Sequence, residues 1–245
     1  MAKQRIDKIF SNLGILSRSE CSRAVKRGEI CVNGVLCAAP DFKADPDSDE
    51  ITYKGSVVDT RMFVYYMLNK PAGCITANED EYAQTVFDYI EDSRMGLSAV
   101  GRLDKDTTGI LLVTNDGDLN HRLLAPRYHV PKTYLALVDG VLAPEDIALL
   151  ERGLDIGDEK PTLPAQCKVI DEKENGTSLV ELIITEGRFH QVKRMFEAVK
   201  KPVIELHRSR FGPLSLDTQL KPGEYRELSS EELAELNTAA GRNIL

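Results

Sequence analysis

The strongest constraint on the fold is a change in apolar periodicity near residue 60. Upstream, Ile6, Ile9, Phe10 and Leu13 recur at i, i+3, i+4, i+7, which predicts a short amphipathic helix over 5–12 ending near Gly14. Ser17 followed by Glu20 is a capping box, so a second helix opens there and stops at Gly28. Ile30-Cys31-Val32, Asn33-Gly34 and Val35-Leu36-Cys37 read as a hairpin, because Asn-Gly supplies the positive φ of a two-residue turn. Polar punctuation over 41–49, beside Pro40 and Pro46, precedes a last strand over 50–53. The expected division is a first domain over 1–59, a linker over 60–62 within the polar stretch 56–62, and a second domain over 63–245.

From Phe63 the pattern favours strands. A strand over 63–68 runs into the turn Asn69-Lys70-Pro71-Ala72-Gly73, and a fully apolar strand over 109–114 is stopped by Asn115-Asp116-Gly117. Further strands are expected over 133–138, 165–170 and 179–185. Helices are expected over 119–124, 144–152, 191–199 and 230–237. The third carries the apolar stripe Val192, Met195, Phe196, Val199, and Ser229 with Glu232 caps the fourth. Strands and helices do not alternate strictly, so the fold class is α+β, with the second domain built around a mixed sheet. The 245 residues suffice for one large core and one small one.

A net charge of −8 argues, taken alone, against a nucleic-acid partner. Its distribution argues the other way. Lys3, Arg5, Lys8, Arg18, Arg23, Lys26 and Arg27 face only Asp7 and Glu20 in the first 28 residues, and a second basic stretch runs from Arg188 to Arg210. The acidity is concentrated over 79–92 and 224–245, a segregation that suits a basic face presented to phosphates. Five cysteines with no Cys-x-x-Cys pair and no apolar leader lead to an expected cytoplasmic location with no membrane association. Four scattered histidines offer no metal spacing, and no cofactor motif is present, so neither metal nor cofactor is expected.

Gly101-Arg102-Leu103-Asp104-Lys105-Asp106-Thr107-Thr108-Gly109 leads directly into the apolar strand. It puts a carboxylate on a glycine-flanked loop fixed by a buried strand, and the glycines are expected to let the backbone approach a ligand. Three readings are open on spacing alone: catalysis by Asp104, loop capping by the aspartates, or magnesium binding by the Asp-x-Asp pair.

Two resemblances narrow this. The helix, Leu13-Gly14-Ile15-Leu16-Ser17-Arg18-Ser19-Glu20, second helix and Gly28-Glu29-Ile30-Cys31-Val32-Asn33-Gly34 hairpin resemble the small RNA-binding domain of the S-four type over about residues 3–55. That resemblance implies that Arg18, Arg23 and Lys26 on the second helix hold structured RNA. The Gly101–Gly117 segment, the Asn-Lys-Pro-x-Gly turn, Lys132-Thr133-Tyr134 and Gly187-Arg188-Phe189-His190-Gln191-Val192-Lys193 resemble the ordered motifs of pseudouridine synthases. The likeness spans nearly the whole chain. It implies Asp104 as the essential carboxylate, Tyr134 packing on the target uracil, and Lys193 as the partner of Asp104. It further implies that Arg102 braces the space left by a flipped base, with Arg188 and Gln191 in substrate binding. The His190-Gln191-Val192-Lys193-Arg194-Met195 form resembles the branch acting on small-subunit (16S) ribosomal RNA rather than large-subunit (23S) RNA. The expected partner is therefore small-subunit rRNA or its assembly intermediate, bound by a monomer. Two rivals stand beside this reading: a non-catalytic RNA-binding assembly factor, and a metal-dependent phosphodiesterase using Asp104, Asp106 and Asp116.

Overall fold

A computed structural model describes residues 3–92 and 94–242, and the chain separates into two units. Met1–Val64 goes with Glu91–Leu97, and Tyr65–Ile90 with Ser98–Leu245. The division differs from the sequence expectation at 91–97, which was assigned to the second domain. Arg94 donates to Asp92 and, at 2.7 Å, to Asp59, while the Met95 amide donates to the Asn12 carbonyl at 3.2 Å. The bonds to Asp59 and Asn12 are long-range and carry no local sequence signal.

The first unit contains β1 (Gln4–Arg5), α1 (Ile6–Asn12), α2 (Arg18–Lys26), β2 (Ile30–Val32), β3 (Val35–Leu36), β4 (Lys43–Ala44), β5 (Ile51–Tyr53) and β6 (Ser56–Val57). Strands β3-β2-β5-β6 form one antiparallel sheet, and β1 pairs with β4. Ile6, Ile9 and Phe10 of α1, Cys21 and Ala24 of α2, and Ile30 and Ile51 of the sheet share its core, as the helical spacing requires. Both arms of the capping box form: the Ser17 side chain accepts from the Glu20 amide at 3.3 Å and Glu20 accepts from the Ser17 amide at 2.8 Å. Asn33 and Gly34 adopt φ of 51° and 76° at the hairpin turn. Arg18, Arg23 and Lys26 are exposed on α2.

The second unit contains β7 (Tyr65–Lys70), β8 (Ser98–Ala99), β9 (Thr108–Thr114), α3 (Gly117–Leu124), β10 (Lys132–Asp139), α4 (Pro144–Arg152), β11 (Gln166–Glu172), β12 (Thr177–Ile184), α5 (Gln191–Ala198), β13 (Val203–Phe211), β14 (Leu214–Ser215), β15 (Tyr225–Glu227) and α6 (Ser230–Ala239). Its sheet runs β11-β12-β10-β13-β9-β7-β15, with β14 added to β13 and β8 to β9. The β9–β13 pair is parallel and the other pairs are antiparallel, so the fold is α+β with a mixed sheet. Leu68 and Leu111 enter one core with Tyr134, Val192 and Phe196, while Met67, Ile110 and Leu112 enter another with Leu119, Phe211 and Leu236. Both faces of β9 are thus covered, which is why its sequence is continuously apolar. Among the described residues no helix is long and apolar enough to cross a membrane.

Strand β13 had no counterpart in the sequence expectations. Its Glu205, His207, Arg208, Ser209 and Arg210 do not read as the middle of a sheet. At Gly109 (φ +107°) an added Cβ would lie 2.2 Å from the Arg208 carbonyl oxygen, where β9 and β13 pair. Gly109 therefore serves strand-to-strand approach, correcting the expectation that it admits a ligand.

Candidate active site

Asp104 sits on the loop between β8 and β9, where the Thr107 amide donates to its carbonyl at 3.1 Å. Three anchors fix this loop. The Thr76 hydroxyl donates to the Leu103 carbonyl at 2.9 Å and accepts from the Leu103 amide at 3.1 Å. The Gly73 amide donates to the Lys105 carbonyl at 2.7 Å. Lys70, fully buried at the end of β7, donates from Nζ to the carbonyls of Pro71 (3.0 Å), Thr107 (2.9 Å) and Lys105 (3.4 Å). Burial lowers the Lys70 pKa, and the carbonyls replace part of its lost hydration. The Asn69–Gly73 turn thus acts as a bracket for the carboxylate loop, a role its motif alone did not disclose.

An open cleft of about 520 Å³ exposes the loop, lined by Ala72, Gly73, Asp104, Lys105, Asp106, His190 and Lys193. Lys193 Nζ is 3.5 Å from Asp104 Oδ2, but its short contacts, 2.6 and 2.8 Å, go to the two oxygens of Asp106. The Lys193 hydrogen bond holds the Asp106 carboxyl below its ordinary pKa. Lys193 therefore stands between two carboxylates instead of pairing with Asp104 alone. His190 Nε2 lies 3.5 Å from Asp104 Oδ1, a neighbour that the sequence reading did not single out.

Tyr134 is buried on β10 in the same core cluster as Leu103 and Val192, the chain neighbours of Asp104 and Lys193. Arg102 is exposed beside Asp104. Arg188 and Gln191 are not poised as expected. Arg188 gives its donors to Glu186, Asp158 and the carbonyls of Lys160 and Pro161. Gln191 is buried, accepts from the Arg188 amide at 2.9 Å and donates to Glu186 at 2.8 Å. Both brace the start of α5, because Glu186 and Asp158 already accept from the donors that were expected to meet the substrate.

Asp116 also has a structural post. Buried at the start of α3, it accepts from the Leu119 amide (3.1 Å), the Tyr65 hydroxyl (2.9 Å) and Arg242 (2.5 Å). These bonds hold it in a helix cap, so the three-aspartate metal reading loses its third ligand.

Two buried cations flank Tyr134. Arg208 is cross-strand from it, bonded through Nε to the Ile110 carbonyl at 2.9 Å, with Nη2 buried and unpartnered. Burial, and then Arg208, push the Lys132 pKa down to about 8, against about 10.4 in an unfolded chain. Between these values the unfolded chain holds a proton that the folded chain lacks, so stability rises with pH. Below about 8 the folded state bears the full cost, on the order of 3 kcal/mol. Lys132→Met should therefore be more stable than wild type at pH 7, and its advantage should shrink toward pH 10. Urea denaturation across this range checks this; a mutant less stable at pH 7 would contradict the sign.

A model described as RNA pseudouridylate synthase matches residues 64–198, and one described as S4 domain matches residues 4–51. The chain is 46% identical to an RNA pseudouridine synthase of Bacillus subtilis (strain 168), YtzG, over 95% of this chain and 98% of that one. It is 39% identical to the ribosomal small subunit pseudouridine synthase A of Escherichia coli (strain K12), over 94% of this chain and 98% of that one. A solved pseudouridylate synthase superposes with a TM-score of 0.66 at 35% identity, covering 95% of this chain and 99% of that structure. With an S4 domain ahead of its catalytic unit, the chain belongs to the RNA pseudouridylate synthase family, whose members are isomerases.

Proposed function

We propose that the protein converts a uridine of small-subunit ribosomal RNA into pseudouridine in the cytoplasm, with Asp104 as the attacking or proton-abstracting carboxylate. The observation that carries this reading is the position of Asp104, on a triply anchored loop in an open cleft between Lys193 and His190. The reaction breaks the C1′–N1 bond, forms C1′–C5, releases the C5 proton and protonates N1, with no net change in composition. A stacked base is out of reach, so the uridine must leave the helix at a cost of a few kcal/mol. Lys193 Nζ, 3.5 Å from Asp104, places a positive charge beside the carboxylate. In this reading Tyr134 would supply a flat face for the uracil and Arg102 would brace the vacated space. The 39% identity to small-subunit enzymes supports the choice of subunit, and five free cysteines suit a reducing compartment.

Loss of the C5 hydrogen provides the assay. Small-subunit rRNA transcripts carrying tritiated uridine should release tritium to water, and large-subunit transcripts should not; the reverse pattern would refute the subunit assignment. Arg18, Arg23 and Lys26 would position the RNA through its phosphates. Reversing all three charges should weaken binding and flatten its salt dependence by about one unit of slope per lost contact. Unchanged affinity and slope would show that RNA is held elsewhere.

A further inference from the structure

Phe189 and His190 form a stacked ring pair at the rim of the cleft, with centroids 3.8 Å apart and planes inclined by 17°. Phe189 is 77% exposed, an unfavourable place for a large apolar ring unless it meets a partner. His190 lines the cleft and approaches Asp104, so the pair lies beside the carboxylate that would act on the target nucleotide.

The backbone around the pair is held with unusual completeness. His190 adopts a left-handed conformation (φ 48°) as the residue preceding α5, where a non-glycine residue is disfavoured and needs support from its surroundings. That support comes from hydrogen bonds made by the flanking residues Arg188, Gln191 and Arg194. The Gln191 amide donates to the Arg188 carbonyl at 3.2 Å, and the Gln191 side chain accepts from the Arg188 amide. Arg194 Nε donates to the Phe189 carbonyl at 2.8 Å while its other nitrogens bond Ile156 and Asp158. This frame fixes the backbone that presents the two rings, so little ordering of the main chain remains for binding.

We propose that the Phe189–His190 pair is a stacking platform for a base adjacent to the extruded uridine. Extrusion strips that neighbouring base of a stacking partner, and an aromatic face replaces it without regard to base identity. The proposal rests on the pseudouridine synthase reading and adds a positioning role for Phe189, which bears on neither bond making nor proton transfer.

The test uses single-stranded decauridylates bearing 2-aminopurine on the 5′ side of a central uridine in one strand and on the 3′ side in another. Stacking on an aromatic ring quenches 2-aminopurine, whether or not turnover occurs. Saturating wild-type protein should quench at least one strand, Phe189→Leu should abolish that quench, and Phe189→Tyr should restore it. On rRNA that the wild type modifies, Phe189→Leu should raise KM by about tenfold, with a smaller change in kcat. Equal quenching by wild type and Phe189→Leu, or no quenching of either strand, would overturn the platform. Absence of wild-type turnover on any rRNA would instead strike the enzymatic reading, so the two failures are distinguishable.

Discussion

Asp104→Asn abolishes pseudouridine formation while RNA affinity stays within about threefold of wild type: this is the expected result of removing one ionisable group and nothing else. The amide is isosteric, and the main-chain anchors from Lys70, Gly73 and Thr76 do not involve the side chain that changes. A neutral amide can neither attack the sugar nor take a proton, so turnover should fall by at least about a thousandfold, or 4 kcal/mol of barrier. Tritium release at saturating rRNA gives the rate, and filter binding gives the affinity. A loss below about tenfold would remove Asp104 from the chemistry and point to Asp106, the other carboxylate in the cleft.

The second large effect is on folding. Gly109→Ala would bring a methyl carbon to 2.2 Å from the Arg208 carbonyl oxygen and 2.8 Å from the Arg208 amide nitrogen, at φ +107°. Backbone cannot turn aside as a side chain can, so β9 and β13 must separate at their parallel contact. A destabilisation above about 4 kcal/mol is expected, enough to leave much of the protein unfolded. Gly101→Ala is the control: its added carbon would meet the movable Leu124 Cδ2 at 3.1 Å, although φ +74° still costs about 1 kcal/mol. Urea midpoints of the two variants measure the contrast. Equal midpoints would mean that β9 and β13 are not held together as described.

The elements legible in the sequence are those whose signal is local. The stripe of α1, the capping boxes of α2 and α6, the Asn33-Gly34 turn and the apolar run of β9 each depend on residues within one turn or strand of each other. Strand β7 was expected two residues early because Asn69 and Lys70 look like turn residues. Both are buried as the last residues of the strand, Asn69 donating to the Leu220 carbonyl and Lys70 to the carboxylate loop. Strand β13 escaped because its buried cation, Arg208, meets the Ile110 carbonyl of another strand through Nε and lies over the Phe211 ring, which its local charge pattern does not disclose. At the site, motif order singled out Asp104 and Lys193, which line one cleft, but not their geometry. Whether Lys193 favours Asp104 or Asp106 depends on the angle between α5 and the loop, which spacing does not encode. The substrate-binding expectation for Arg188 could not anticipate that Asp158 and the carbonyls of Lys160 and Pro161, some thirty residues upstream, take its donors.

Pseudouridine mapping across all cellular rRNA tests the central claim most directly. Three strains are needed: one lacking the gene, and that strain complemented with wild type or with Asp104→Asn. The account predicts loss of pseudouridine at a uridine in small-subunit rRNA on deletion. Wild type should restore the modification, whereas Asp104→Asn should leave the position as uridine. Identical maps with and without the gene, or restoration by Asp104→Asn, would contradict it.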